Sequence, residues 1–281
     1  MKHIHDYKVV DVFTTRPLAG NPVAVVFDAD GLDSGAMQAI ASWTNLSETT
    51  FVLRPSTPAA DYRLRIFTPG GELPFAGHPT LGSCHAWLEA GGKPRRNDEI
   101  VQQCGVGRVR IRRTEEGRLA FAAPPLRRTA VDPELLARVV AALGIEPARV
   151  RASQWLDNGP QWLTLLLEEA ATVLALAPDH SALKILPMVG VAGPHPAGSE
   201  CAFEVRAFAA SVGIAEDPVT GSLNASLAQW LIGDGLAPQR YVAAQGACLG
   251  RAGRVHVEQR DGETWVGGAS RTVIEGRASL T

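Results

Sequence analysis

Residues 75–92, FAGHPTLGSCHAWLEAGG, carry small and apolar side chains on nearly every side of the helix they spell, and EDPVTGSLNASLAQWLIGDG at 216–235 is a partial echo. A helix with no polar face is predicted to lie inside something. Around each helix the pattern shortens to strand runs. Residues 7–14 and 23–27 read as strands joined by the turn 16–22, which holds two Pro and one Gly. Asp33 or Ser34 can cap a helix running through Met37, Ile40 and Ala41 to about Trp43. Asn45 and Glu48 have capping-box spacing, but the following Thr-Thr-Phe-Val-Leu is strand-forming, so Glu48 is expected to enter a strand. Another strand is expected at Tyr62–Thr68, and Pro79 suits the first turn of the enclosed helix. Residues 100–111 and 118–123 read as a hairpin, and Pro124-Pro125 then interrupts the pattern.

The second half retraces the first. After a helix at about 133–143, with Asp132 as cap, NGPQWLTLLL at 158–167 resembles GNPVAVV at 20–26. FEVRAFA at 203–209 resembles YRLRIFT at 62–68, aligning Arg206 with Arg65 and Phe208 with Phe67. A Gln, a Gly and a basic strand follow each enclosed helix, over Gln103–Ile111 and Gln245–Val257. Four matched segments in one order indicate an internal duplication. The expected fold is α+β: two pseudo-symmetric lobes, residues 1–124 and 125–281, each a curved sheet wrapped around a central helix, with the site between them.

Composition narrows the function classes. The 281 residues are 46% hydrophobic and 20% charged, as a packed globular core requires. With 27 basic and 29 acidic residues and only isolated Arg pairs, no nucleic-acid groove is expected. His3, His5 and Asp6 interrupt any signal-peptide core, and no run approaches membrane-spanning length, so a cytoplasmic protein without membrane contact is expected. Cys84, Cys104, Cys201 and Cys248 show no CxxC spacing and read as reduced thiols.

The candidate chemistry lies at the two helix entrances. Helix starts facing a cleft present unpaired N–H groups and positive dipole ends, suited to a carboxylate. Gly77, Gly221 and Ser222 permit close backbone approach, although such residues also simply let a helix start pack tightly. His78 and Asp217 each precede a Pro at an entrance and are candidate acid–base groups; the alternative for His78 is capping or packing. Glu48, desolvated in a cleft, would rise from about 4.3 towards the range of a general base. A solvated strand end is its other reading. The dinucleotide, P-loop, nucleophile-elbow and HExxH motifs are missing, and nothing calls for a nicotinamide, flavin or pyridoxal cofactor. His78, Cys84 and His85 are poor metal ligands, because adjacent helical residues point apart, and no metal is expected.

LAGNPVAVV (18–26), LSETTFV (46–52), FTPGGELPFAGHPTLG (67–82) and EDPVTGS (216–222) together resemble the phenazine-biosynthesis PhzF-like family over nearly the whole chain. The resemblance implies a diaminopimelate epimerase-like fold with β-barrel-like sheets, a homodimer, and a cofactor-independent isomerase. It also implies that Glu48 moves a proton between carbons of a small carboxylated substrate of the dihydro-3-hydroxyanthranilate type, with His78, Asp217 and Ser222 as family positions. The epimerase relatives carry a cysteine pair at positions occupied here by Gly77 and Asp217, which disfavours two-thiol epimerisation. Two alternatives stand beside the isomerase: a non-catalytic small-molecule binding protein, and a cysteine-independent amino-acid epimerase using Glu48 and Asp217.

Overall fold

The structure, a computed structural model, describes residues 4–280; His3 of the N-terminal reading lies outside them. The chain divides into two compact units, 1–122 with 267–281, and 123–266. The lobe division expected after residue 124 therefore differs in one respect. The C-terminal strand Ser270–Ser279 pairs with Ile4–Val12, so the chain's end returns to the first unit.

In the first unit, the strands Ile4–Val12 and Asn21–Val26 pair antiparallel, and Asn21–Val26 runs parallel to Glu48–Leu53. Glu48–Leu53 is antiparallel to Tyr62–Thr68, which pairs in parallel with Ile100–Cys104; that strand is antiparallel to Gly107–Arg113. The helix Gly77–Glu89 packs against strands from both ends of this series, including Ile4–Val12, Ser270–Ser279 and Leu119–Ala122, so the sheet curls around it. Gly82 makes the approach possible. A Cβ there would stand 2.4 Å from Val23 Cγ1 and 2.9 Å from Val12 Cγ2. The other sheet face is covered by the helix Ser34–Thr44, whose Met37 and Ala41 pack with Phe51 and Phe67. Asp33 is its cap, accepting from Ala36 N.

The second unit repeats the pairing senses. Val150–Asp157 and Gln161–Leu167 are antiparallel, Gln161–Leu167 and Val189–Pro194 parallel, and Val189–Pro194 and Phe203–Ala209 antiparallel. Phe203–Ala209 then pairs in parallel with Arg240–Gln245, itself antiparallel to Gly253–Arg260. The enclosed helix Gly221–Gly233 is 13 residues long, as is Gly77–Glu89. It contacts Val150–Asp157 and Gly253–Arg260, the two flanks of the series, and Leu223 occupies the space a Cβ on Gly190 would need. Outside the sheet, the expected helix Pro133–Leu143, capped by Asp132, closes a core with Leu163, Leu165, Val191 and Phe208.

The matched arginines behave alike in the two units. Arg65 and Arg206 each lie 5.0 Å over the ring two residues on, Phe67 and Phe208. Each also forks onto a glutamate, Glu72 or Glu216. Two details differ from the sequence reading. Residues 100–111 form two strands, Ile100–Cys104 and Gly107–Arg113, and the span 245–257 divides between Arg240–Gln245 and Gly253–Arg260. The strands Val150–Asp157 and Ser270–Ser279 were not legible because polar and charged residues blur their alternation, nor was Val189–Pro194, which holds two Gly and a Pro.

Candidate functional site

Side-chain alternation places the first group of residues. Thr50 and Ser83 of the enclosed helix lie 2.8 Å apart through their hydroxyls, so the face of Glu48–Leu53 carrying Thr50 meets that helix. Glu48, two residues earlier, lies on the same face at the strand's start. There it meets the helix's second residue: His78 Nε2 is 3.5 Å from Glu48 Oε2, with side-chain exposures of 3% and 13%. The strand Asn21–Val26 brings Asn21 to the same place, its Nδ2 lying 3.4 Å from His78 Nδ1. Asp11 holds the preceding turn by accepting from the N–H groups of Ala19 and Gly20 at 2.9 and 3.2 Å.

Burial pushes His78 down from 6.5 to about 3, with a hydrogen bond to the Pro22 carbonyl acting in the opposite direction. The imidazole is therefore neutral at physiological pH. Its Nε2 lies beside Glu48 Oε2 without hydrogen-bond geometry, and its Nδ1 lies beside Asn21 Nδ2. A neutral ring so placed polarises the carboxylate without supplying a full charge. Gly77, buried, opens the helix beside it.

The second group is organised by a glutamine. Asp217 ends the strand Ile214–Asp217 and is 9% exposed; its Oδ2 accepts from the Thr220 hydroxyl at 2.6 Å. Gln245 Nε2 donates to the Asp217 carbonyl and to Thr220 Oγ1, and its Oε1 accepts from Thr220 N and Asn224 Nδ2. Asn224 completes the ring by donating to the Thr220 carbonyl. Gly221 and Ser222 are the first two helical residues, and Ser222 Oγ accepts from Trp162 Nε1 at 3.3 Å while its carbonyl accepts from Asn158.

Both enclosed helices begin without a side-chain cap, whereas Asp33, Asp132 and Asp179 cap the helices they precede. The first-turn N–H groups at Gly77, Gly221 and Ser222 thus receive no side-chain acceptor from the cap position.

The helix starts set the register between the two entrances. Gly77 corresponds to Gly221, and His78 to Ser222, because these are the first and second residues of the two helices. Pro79 and Thr80 lie within the first turn, but Pro218 and Thr220 precede it, so Asp217 reaches its place from a strand four residues earlier. The turn asparagines respect this register: Asn21 contacts His78 and Asn158 contacts Ser222.

Sequence reasoning missed Asn21, Asn158, Trp162, Thr220 and Gln102. The buried Gln102, not the expected Gln103, bridges a strand to the first helix by donating to Thr80 Oγ1, as Gln245 bridges its strand to the second helix by accepting from Asn224 Nδ2. Gln103 instead contacts Ser56 at the surface. Signals existed in the repeated turn asparagine and strand glutamine, but only the partners reveal their use. Cys84 is buried, and burial pushes its thiol up to about 12, so it stays protonated. Among the described residues, no group of three or more His, Cys, Asp or Glu is placed to hold a metal ion, and no helix is long and apolar enough to cross a membrane.

Comparison with known proteins places these residues in context. The family model for phenazine biosynthesis-like proteins, PhzC-PhzF, matches residues 10–280. The trans-2,3-dihydro-3-hydroxyanthranilate isomerase of Pseudomonas aeruginosa is 36% identical, covering 99% of this chain and 100% of that protein. The Schizosaccharomyces pombe protein named antisense-enhancing sequence 1 is 37% identical, over 98% of this chain and 99% of its own length. The crystal structure of a PhzF-family phenazine biosynthesis protein from Bacillus anthracis superposes with a TM-score of 0.83 at 23% identity, covering 98% of this chain and 99% of that one, a likeness of fold.

Proposed function

The chain belongs to the PhzC-PhzF family of phenazine biosynthesis-like proteins and is an isomerase, and from this premise we propose that it shifts a proton between carbons of a small carboxylated substrate without a cofactor. The observation that carries the proposal is the nearly enclosed Glu48–His78 pair. Its carboxylate lies 3.5 Å from a neutral imidazole at the start of an uncapped helix.

In this reading Glu48 is the general base and shuttle. A substrate C–H bond breaks as an O–H bond forms on the Glu48 carboxylate, and the released electron pair spreads into the unsaturated system joined to the substrate carboxylate. Glu48 then returns the proton to a different carbon, moving the double bond. His78 is assigned to proton handling by orienting the Glu48 carboxylate, held in turn by Asn21 and Pro22. Asp217 is assigned to a polar substrate group, and the N–H groups at Gly77, Gly221 and Ser222 to the carboxylate. Donors that strengthen on an enolate-like transition state contribute on the order of several kcal/mol.

The first compound to test is trans-2,3-dihydro-3-hydroxyanthranilate, the substrate in the name of the P. aeruginosa relative. In heavy water the proton on Glu48 is expected to exchange with solvent before its return, placing deuterium on the receiving carbon, read by NMR together with the shifted double bond. Folded Glu48→Gln should lose that exchange; exchange at the wild-type rate would remove Glu48 from its role. Binding with neither exchange nor a double-bond shift, over a panel of small unsaturated carboxylates, would replace catalysis with a binding function. We also propose a homodimer, supported by the family resemblance; light scattering should return twice the 29.8 kDa chain mass.

A further inference from the structure

The second unit contains a cavity of about 350 Å³, in the size range of small-molecule sites, lined in part by His195, Cys201, Glu204, Arg251 and Arg254. None of these residues has a part in the proposed proton transfer; Gln245, which also lines the cavity, turns its side-chain amide to the Asp217 group. Alternation separates their face from the enclosed helix. Ala207 is paired with Gly190, whose bare Cα faces Leu223 of that helix, so Glu204, three residues earlier on the same strand, projects to the opposite face.

Glu204 is a buried carboxylate with one oxygen served and one not. It is 3% exposed, and Oε2 lies 3.1 Å from His195 Nε2. Oε1 is fully buried and has no hydrogen-bond partner among the described residues. Burial pushes the carboxyl up, and the nearby His195, Arg254 and Arg206 charges pull it back towards ionisation. A buried acceptor in this condition calls for a donor from a ligand.

Arg254 supplies the opposite requirement. Its Nε and Nη2 lie 3.1 and 3.0 Å from the two oxygens of Glu200, whose side chain is 72% exposed. So exposed a pair is weakly held, and a ligand carboxylate can exchange with Glu200 on the guanidinium at little cost. Ala244, Ala247 and Ala252 contribute only small side chains to the lining. An anion alone would meet Glu204 unfavourably, and a simple cation would leave the arginine side unused.

We propose that this cavity binds a small zwitterion of the α-amino acid class, its carboxylate on Arg254 and its ammonium on the Glu204 carboxylate, whose side chain turns to present the unpartnered oxygen. The test is isothermal titration of the full chain with L-alanine, L-serine and L-glutamate, and with the N-acetyl and amide derivative of each. At least one free amino acid should saturate, and blocking either end should weaken it roughly tenfold or more. Glu204→Gln should abolish binding. Arg254→Ala, at a side chain 36% exposed, should weaken the free amino acid but not its amide, which keeps the comparison available if Glu204→Gln does not fold. Binding should persist in Glu48→Gln. The proposal is overturned if none of the three amino acids saturates, or if a blocked derivative binds as tightly as its parent. It is equally overturned if binding is lost in Glu48→Gln while a folded Glu204→Gln retains it, since the ligand then sits with the isomerase residues.

Discussion

The enclosed His78 should make the protein sensitive to mild acid. Its pKa falls from 6.5 to about 3 because burial disfavours the imidazolium. As the pH drops below 6.5 the unfolded chain takes up a proton at this residue and the folded protein does not. The contribution is therefore fully present above the unfolded value and is lost as the pH falls towards the folded one. The gap is about 3.5 pH units at about 1.4 kcal/mol each, so the full loss is on the order of 5 kcal/mol. Most of it lies at acidity where carboxylates also titrate, so the useful window is earlier. Between about pH 7.5 and about pH 5.5 the histidine alone should cost on the order of 1 kcal/mol. Urea unfolding of the native protein and of His78→Gln at both pH values isolates this quantity, because contributions from other groups cancel in the difference. The native protein should lose on the order of 1 kcal/mol more than the variant. Ring-proton NMR of His78 should also stay flat through this window. Equal losses in the two proteins, or a folded-state titration near 6.5, would refute the reasoning.

Three further outcomes follow from packing and hydrogen bonding. Gln245→Leu strands the partners of four buried hydrogen bonds and should cost about 3 kcal/mol or more in chemical denaturation. The duplicated arginines should respond unequally: Arg206→Met abandons Glu216 in an environment where both side chains are about 5% exposed, at about 3–5 kcal/mol. Arg65→Met, facing the 42% exposed Glu72, should cost under about 1 kcal/mol by the same measurement. Gly82→Ala gains about 1 kcal/mol of helix propensity but forces a methyl against Val23, so a net loss of about 1 kcal/mol and a lower Tm in calorimetry are expected.

Much of this molecule was written locally. The strands Tyr62–Thr68 and Phe203–Ala209 and the helix Pro133–Leu143 have the bounds read from alternation and capping, since those signals act over a few neighbouring residues. The two enclosed helices were legible for the same reason: a helix lacking a polar face has to be surrounded. Motif resemblance then pointed to Glu48 and His78. It did not show that a neutral imidazole would sit 3.5 Å from that carboxylate, nor that Asn21 and the Pro22 carbonyl would hold it.

Tertiary structure decided what depends on registers between distant segments. The C-terminal strand returns to the first unit because its hydrogen-bonding partner is Ile4–Val12, a pairing that no local pattern encodes. The match of Gly77 with Gly221 rather than with Asp217 depends on where each helix begins, and a Pro marks that start only to within a turn. Burial made the remaining distinctions. Arg65 and Arg206 look equivalent in the chain, as do Gln102 and Gln103, yet one member of each pair is enclosed and the other reaches water. Residue type states which charges and donors a segment offers, whereas the packing of both sheet faces decides which of them are desolvated, and desolvation sets their chemistry.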